Sequence, residues 1–211
     1  MPFLLPADCL NEVIENLEDD KTTLHSCLLV NRLWCKISVR ILWKNIWSFK
    51  HSIPHDCQFK VSSTILSMLI ACLPNESKEL LHENKIVIST PTSKPPLFNY
   101  VSFCKVLSIN EIGQVIDMGL KNDSSSKKSL VAEEILKMFM NQISSLKKLT
   151  YFNTLHYINF ISFTCFPGAR NCLKDLTQLH CSSNIGVESE FFYHLSQICH
   201  NLLSYLIGSC S

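Results

Sequence analysis

LPADCLNEVIENLEDDKTTLHSCLLVNRLWCKISVRILWKNIW, residues 5–47, is the stretch whose reading decides the fold. Leu5-Pro6 opens a helix, because proline lacks the N–H that a first turn leaves unpaired and its fixed φ suits that place. Asp8 and Glu12 fall in the early turns, where negative charge sits well against the helix dipole. Leu10, Val13, Ile14 and Leu17 recur at i, i+3, i+4 and i+7, the mark of one apolar helix face. Glu18-Asp19-Asp20 breaks the pattern, and Asp20 is placed to cap a second helix carrying Leu24, Cys27 and Leu28. Leu29-Val30 follows at once and leaves more apolar surface than a single face can hide. Asn31 can cap a third helix in which Trp34, Ile37 and Ile41 line up, and Trp43 and Trp47 close the unit.

Three short helices this rich in Leu, Val and Trp cannot bury all their apolar surface alone. An isolated core below about 60 residues is marginal and leans on something else. The support is either a foreign protein or the remainder of this chain.

The ordered set Leu5-Pro6, Asp8, Leu10, Val13-Ile14, Leu17, Leu24, Cys27-Leu28-Leu29-Val30, Asn31-Arg32-Leu33-Trp34 and Leu42-Trp43 resembles the F-box. The family pattern runs Leu-Pro, an acidic residue, an amphipathic helix, an acidic break, Leu-x-x-Cys/Leu-x-x-Val with a basic residue and Trp, then a closing Leu-Trp. The resemblance implies a three-helix domain over residues 1–48 that docks onto the Skp-type adaptor of a cullin-based ubiquitin ligase. It also implies roles. Leu5, Pro6, Leu10, Leu28, Leu29 and Val30 would face the adaptor, while Val13, Leu17, Trp34 and Ile37 would hold the helices together.

Composition narrows the alternatives. With 46% hydrophobic and 18% charged residues the chain is globular rather than disordered. A formal net charge of +1 gives no electrostatic case for nucleic acid or an anionic membrane surface. The longest apolar run, Ile65 to Leu73, is too short to span a bilayer. Eleven cysteines, an odd count without Cys-x-x-Cys, point to free thiols in a reducing compartment. The expected location is the cytoplasm, with the nucleus as the alternative.

After the opening unit, residues 49–145 read as a helical linker and first irregular repeats. Ser63 or Thr64 can cap a helix through Leu73 that is apolar nearly all round and therefore expected to be buried. Lys85-Ile86-Val87-Ile88 is a strand candidate by its β-branching, and Thr90 to Pro96 a proline-broken loop. Phe98 to Leu107 fits helix or strand, and Ile112 to Leu120 a short amphipathic helix. Lys121 to Ser129 is expected to be a polar loop, and Leu130 to Ile143 a helix.

The segment 146–211 carries an internal echo. Leu173, Leu176, Cys181 and Ser182 answer Leu202, Tyr205, Cys210 and Ser211 at a constant offset of 29 residues, with a helix expected between them over Glu188 to Cys199. A Leu-x-x-Leu-x-apolar-x-x-Cys strand and turn followed by a helix resembles the cysteine-containing leucine-rich repeat. Such units hide their leucines only by stacking, so the resemblance implies a short, irregular solenoid with a recognition face, incomplete at its C-terminal end. Either the chain is a truncated member or its open end is covered by something else.

Catalysis is not expected. Zinc could be assembled from Cys181, His194, Cys199 and His200, or from Cys165, Cys172 and His180, but the tight paired spacing of zinc sites is missing. No Gly-x-Ser-x-Gly occurs, and five glycines leave little for phosphate-cradling loops. The expectation is an α/β chain without cofactor or metal. Its F-box would bind a Skp adaptor and cullin scaffold, and its repeats an unidentified protein substrate. The competing expectation is a non-ligase leucine-rich-repeat module whose F-box-like helices only cap the solenoid.

Overall fold

The first helix starts because Pro6 itself is not helical (φ -53, ψ 147) while its carbonyl accepts the Leu10 N–H at 3.0 Å. In this computed structural model, which describes residues 6–51, 57–88, 96–152, 157–158, 162–182 and 188–208, α1 runs Ala7–Glu15. Asp20 caps α2 (Lys21–Cys27), accepting the Thr23 N–H at 3.0 Å and the Thr23 hydroxyl at 2.6 Å. Those bonds hold the Asp20 carboxyl below its ordinary value. The cap therefore contributes fully above the unfolded carboxyl pKa and is lost as pH falls through the folded one. Asn31 caps α3 (Arg32–Lys44) by accepting from Leu33 and Trp34, both at 3.0 Å.

These helices close over Leu10, Ile14, Leu24, Ile37, Ile41 and Leu42, with Leu17 and Trp34 packed at the edge. Two expectations change places here. Leu10 is buried in this core instead of facing outward, and Val13 is 54% exposed instead of holding the helices together. Leu10, Ile14 and Leu17 form the inward stripe, and Val13 falls at its edge. Ion pairs Arg40–Glu15 at 3.2 Å and Lys44–Glu18 at 3.0 Å link α3 to the end of α1. They are partly exposed and worth about 0–1 kcal/mol, so the apolar core sets the arrangement.

A short α4 (Ser48–His51) leads towards α5 (Gln58–Cys72), which is longer than its sequence pattern indicates and buries Ile65, Leu66, Leu69 and Ile70. Next, α6 (Asn75–Glu83) ends where a strand is expected. Lys85 takes φ 55, its N–H bonds the His82 carbonyl, and the Ile86 N–H reaches back to Leu81. This is a left-handed helix stop that draws Ile86 back onto the end of α6, while Val87 is left exposed. The Thr90–Pro96 loop lies almost entirely outside the described residues.

A single-turn 3₁₀ segment (Tyr100–Phe103) precedes β1 (Val106–Ser108). Then come α7 (Ile109–Gly119), α8 (Ser125–Gln142), β2 (Lys148–Tyr151), α9 (Ala169–Leu173), β3 (Gln178–Ser182), α10 (Glu188–Ile198) and β4 (Ser204–Gly208). Most of the expected 121–129 polar loop is the first turn of α8, started when Ser124 Oγ accepts the Lys127 N–H. The chain is thus α/β: helices with a parallel sheet, whose four described strands lie in simple order β1-β2-β3-β4. No described helix is long and apolar enough to cross a membrane.

The register of this ladder is set by a recurring three-centre bond. The Lys105 carbonyl accepts from Lys147 and Lys148, the Lys147 carbonyl from Thr177 and Gln178, and the Thr177 carbonyl from Leu203 and Ser204. Leu107, Leu149, Leu179 and Tyr205 therefore stand side by side. This corrects the 29-residue echo, because Leu179, not Leu176, is opposite Tyr205. The slip is three residues, the period at which Leu173-x-x-Leu176-x-x-Leu179 resembles itself. Cys210 and Ser211 lie outside the described residues. The ladder starts at Val106, inside the 49–145 segment read as linker and first irregular repeats.

One large core runs from Val39, Trp43, Ile46 and Trp47 through Phe139 to Leu195, so the head and the ladder share apolar packing. Their joint is specific. The Lys105 N–H donates to the Lys44 carbonyl at 2.9 Å, and Trp47 Nε1 donates to the Val106 carbonyl at 3.1 Å. Buried Lys50 donates to Glu111 at 2.5 Å and Gln114 at 2.8 Å.

Gly168 precedes α9 at φ 82, where an added Cβ would lie 2.5 Å from the Met140 carbonyl oxygen. Gly168→Ala combines left-handed strain with a clash against backbone, and is expected to destabilise the chain by about 2–4 kcal/mol. A denaturant midpoint unchanged from wild type would contradict that expectation.

Candidate docking surfaces

The α2–α3 turn presents apolar side chains because its backbone needs nothing from outside. The N–H groups of Leu28, Leu29 and Val30 bond to the carbonyls of His25, Ser26 and Cys27, and Asn31 starts the next helix. The side chains are left projecting: Leu29 is 82% exposed, Val30 56% and Leu33 39%. Pro6 is exposed at the head of α1, and Leu28 is half-buried between the two cores. Of the residues expected at this surface, Pro6, Leu29 and Val30 are exposed and Leu10 is not. Leu5 lies outside the described residues. Of those expected in the core, Ile37 is buried, Leu17 and Trp34 are half-buried and Val13 faces out. Val13 and Leu33 are surface candidates that helical periodicity alone does not separate from the core.

A second surface is the outward side of the ladder. Inward residues Leu107, Leu149 and Leu179 are buried, and strand alternation places their neighbours on the opposite side. One row there is Lys148, Gln178, Ser204; the other is Thr150, His180, Leu206. Partial burial, with Lys148 beside it, pushes the His180 imidazole below its ordinary value. The row is therefore uncharged there at neutral pH and suited to hydrogen bonding.

The cysteines divide by burial. Cys104 and Cys172 are deep in the core, and burial raises both thiols, Cys172 to about 12. Cys199, raised by burial to about 11, donates to the Leu173 carbonyl at 3.1 Å. Of the residues weighed above for zinc, Cys165 and His194 come from different sets and meet here, Sγ and Nδ1 lying 3.2 Å apart with Thr164 Oγ1 beside the same nitrogen. Among the described residues no three of His, Cys, Asp and Glu converge. Since thiolate is the reactive form, brief N-ethylmaleimide treatment at neutral pH is expected to label exposed Cys9, Cys57 and Cys165. Cys104 and Cys172 should react only on unfolding. Peptide mapping checks this, and early labelling of Cys172 would contradict it.

A third feature lies where the head meets α5. Three helices turn side chains toward a cleft of about 600 Å³: Lys21 and His25 from α2, with Leu28 just past its end; Val39, Leu42 and Trp43 from α3, with Ile46 just past its end; and Lys60, Val61, Thr64, Ile65 and Met68 from α5. The spacings within each helix are those of one face. Tyr100, whose ring stacks on Trp43 at 4.9 Å between centroids, and Phe49 complete the lining.

Comparison with known proteins finds no matching family model, curated protein or solved structure.

Proposed function

We propose that this chain is the substrate-receptor subunit of a Skp–cullin–F-box ubiquitin ligase. In this reading the three-helix head is the F-box and the ladder a short leucine-rich-repeat solenoid. The observation that carries it is the exposed apolar turn Leu29-Val30, flanked by exposed Leu33, on a head whose core is otherwise closed. Burying such side chains against a partner is worth about 1.5–3 kcal/mol each. Pro6, Leu29 and Val30 then contact the adaptor, joined by Val13 and Leu33, while Leu10 supports them from beneath. Cullin is reached through the adaptor. The polar rows of the ladder hold the target, and the subunit makes or breaks no bond itself. It raises the target's effective concentration beside the ubiquitin-charged enzyme, into the millimolar range for a short tether. Calorimetric titration of the full chain with a Skp-type adaptor tests the reading; saturable binding supports it, and a flat titration defeats it.

A second reading is favoured by the joint itself. Lys44 and Trp47 satisfy the backbone at the entrance to β1, so the head can serve as the ladder's N-terminal cap and nothing more. In that case the chain is a binding module outside any ligase. Removing the head would unfold the ladder while the adaptor titration stays flat.

A further inference from the structure

The cleft between the head and α5 has a composition that specifies its occupant, independently of the ligase reading. Its walls are aliphatic and aromatic, Tyr100 among them, whereas the rest of its lining is Lys21, His25, Lys60 and Thr64, with no carboxylate among the lining residues. A volume of about 600 Å³ is that of a small-molecule site, and such sites favour the junction between packed units. We propose that the cleft binds a free long-chain fatty carboxylate, its tail against Trp43 and Met68 and its carboxylate against the Lys21 and Lys60 ammonium groups.

The argument is one of charge complementarity. A neutral hydrophobe would cover the walls but give the cationic rim nothing, and a cationic amphiphile would be repelled by it. An anionic head on an apolar tail matches both. Lys21 Nζ donates to the Glu18 carbonyl at 2.5 Å, which fixes its position and leaves two of its three hydrogens for an anion. Lys21 with His25, and Lys60 with Thr64, stand four residues apart, so each helix offers its polar pair on a single face.

A fluorescent polyene fatty acid is the probe, because Trp43 in the wall can transfer energy to it. Titration of the full chain is expected to saturate at one equivalent and to be reversed by palmitate. The methyl ester should bind at least about tenfold more weakly, the loss of one charge-assisted contact. Lys21→Glu combined with Lys60→Glu should weaken the acid by a similar factor and leave the ester unchanged. Met68→Trp, which fills the cleft, should remove binding of both. Thr64→Trp at the mouth is the alternative block should Met68→Trp fail to fold by circular dichroism. Absence of saturable binding, equal affinity for acid and ester, or full binding by a folded blocked variant would each overturn the proposal.

Discussion

Leu29→Asp combined with Val30→Asp is expected to weaken adaptor binding by at least about a hundredfold without unfolding the chain. The two side chains are 82% and 56% exposed in the free protein, so the substitution removes little internal packing. On a partner each would forfeit about 1.5–3 kcal/mol of apolar burial, and every 1.4 kcal/mol is a factor of ten. Desolvating two new carboxylates adds to the loss. The backbone of the turn is held by Asn31 and by local hydrogen bonds that do not involve these side chains, so helicity should be preserved. Leu203→Asp, at an equally exposed leucine beside β4, is the matched control and should leave affinity untouched. Titration of all three proteins with the adaptor decides the matter. An unaltered affinity for the double variant would remove the turn from the interface.

Glu111→Ala should be the most damaging single charge removal, costing about 3–5 kcal/mol. Lys50 and Glu111 are both largely buried and meet at 2.5 Å, tying α4 of the head to α7 of the first βα unit. Deleting the carboxylate leaves an ammonium in the interior with, among the described residues, the Gln114 amide oxygen at 2.8 Å to accept from it. For a domain whose whole stability is about 5–15 kcal/mol, that is a large fraction. Lys50→Met together with Glu111→Leu should recover most of the loss, because a buried pair replaced by apolar side chains of similar size is often neutral. Urea denaturation of the two singles and the double measures the coupling. Equal destabilisation by Glu111→Ala and by the double replacement would mean that packing, not the stranded charge, accounts for the cost.

The caps at Asp20 and Asn31 were legible because capping is local: the side chain and the amides it satisfies lie within three residues. The distinction between Leu10 and Val13 was not, since both belong to one apolar stripe and only the packing of α3 decides which edge is covered. Ile86 to Ile88 shows a tertiary override. Its β-branched composition fits a strand, yet the left-handed turn at Lys85 commits Ile86 to ending α6. The first rung falls where irregular first repeats are expected, but its register was not legible because Cys104 stands where its successors have Leu146, Leu176 and Leu202, and a three-residue strand offers little alternation. The cleft could not be read at all. Its walls come from helices whose apolar and cationic stripes look, one at a time, like ordinary core and solvated surface.

The ladder's crossovers carry a geometric consequence. Adjacent strands sit about 4.8 Å apart, whereas packed helices need about 8–10 Å between axes. From Leu107 to Leu149 the chain makes room for two full helices, but from Leu149 to Leu179, and again to Tyr205, for fewer residues and, among the described residues, one α-helix each. By that spacing, a stack whose outer rim is thickest at its first rung is expected to arch unevenly, bending hardest near the head and relaxing toward β4. On the receptor reading proposed above, a target lying across the strands would meet a scoop, not a uniform trough, with its deepest point nearest the tryptophan joint.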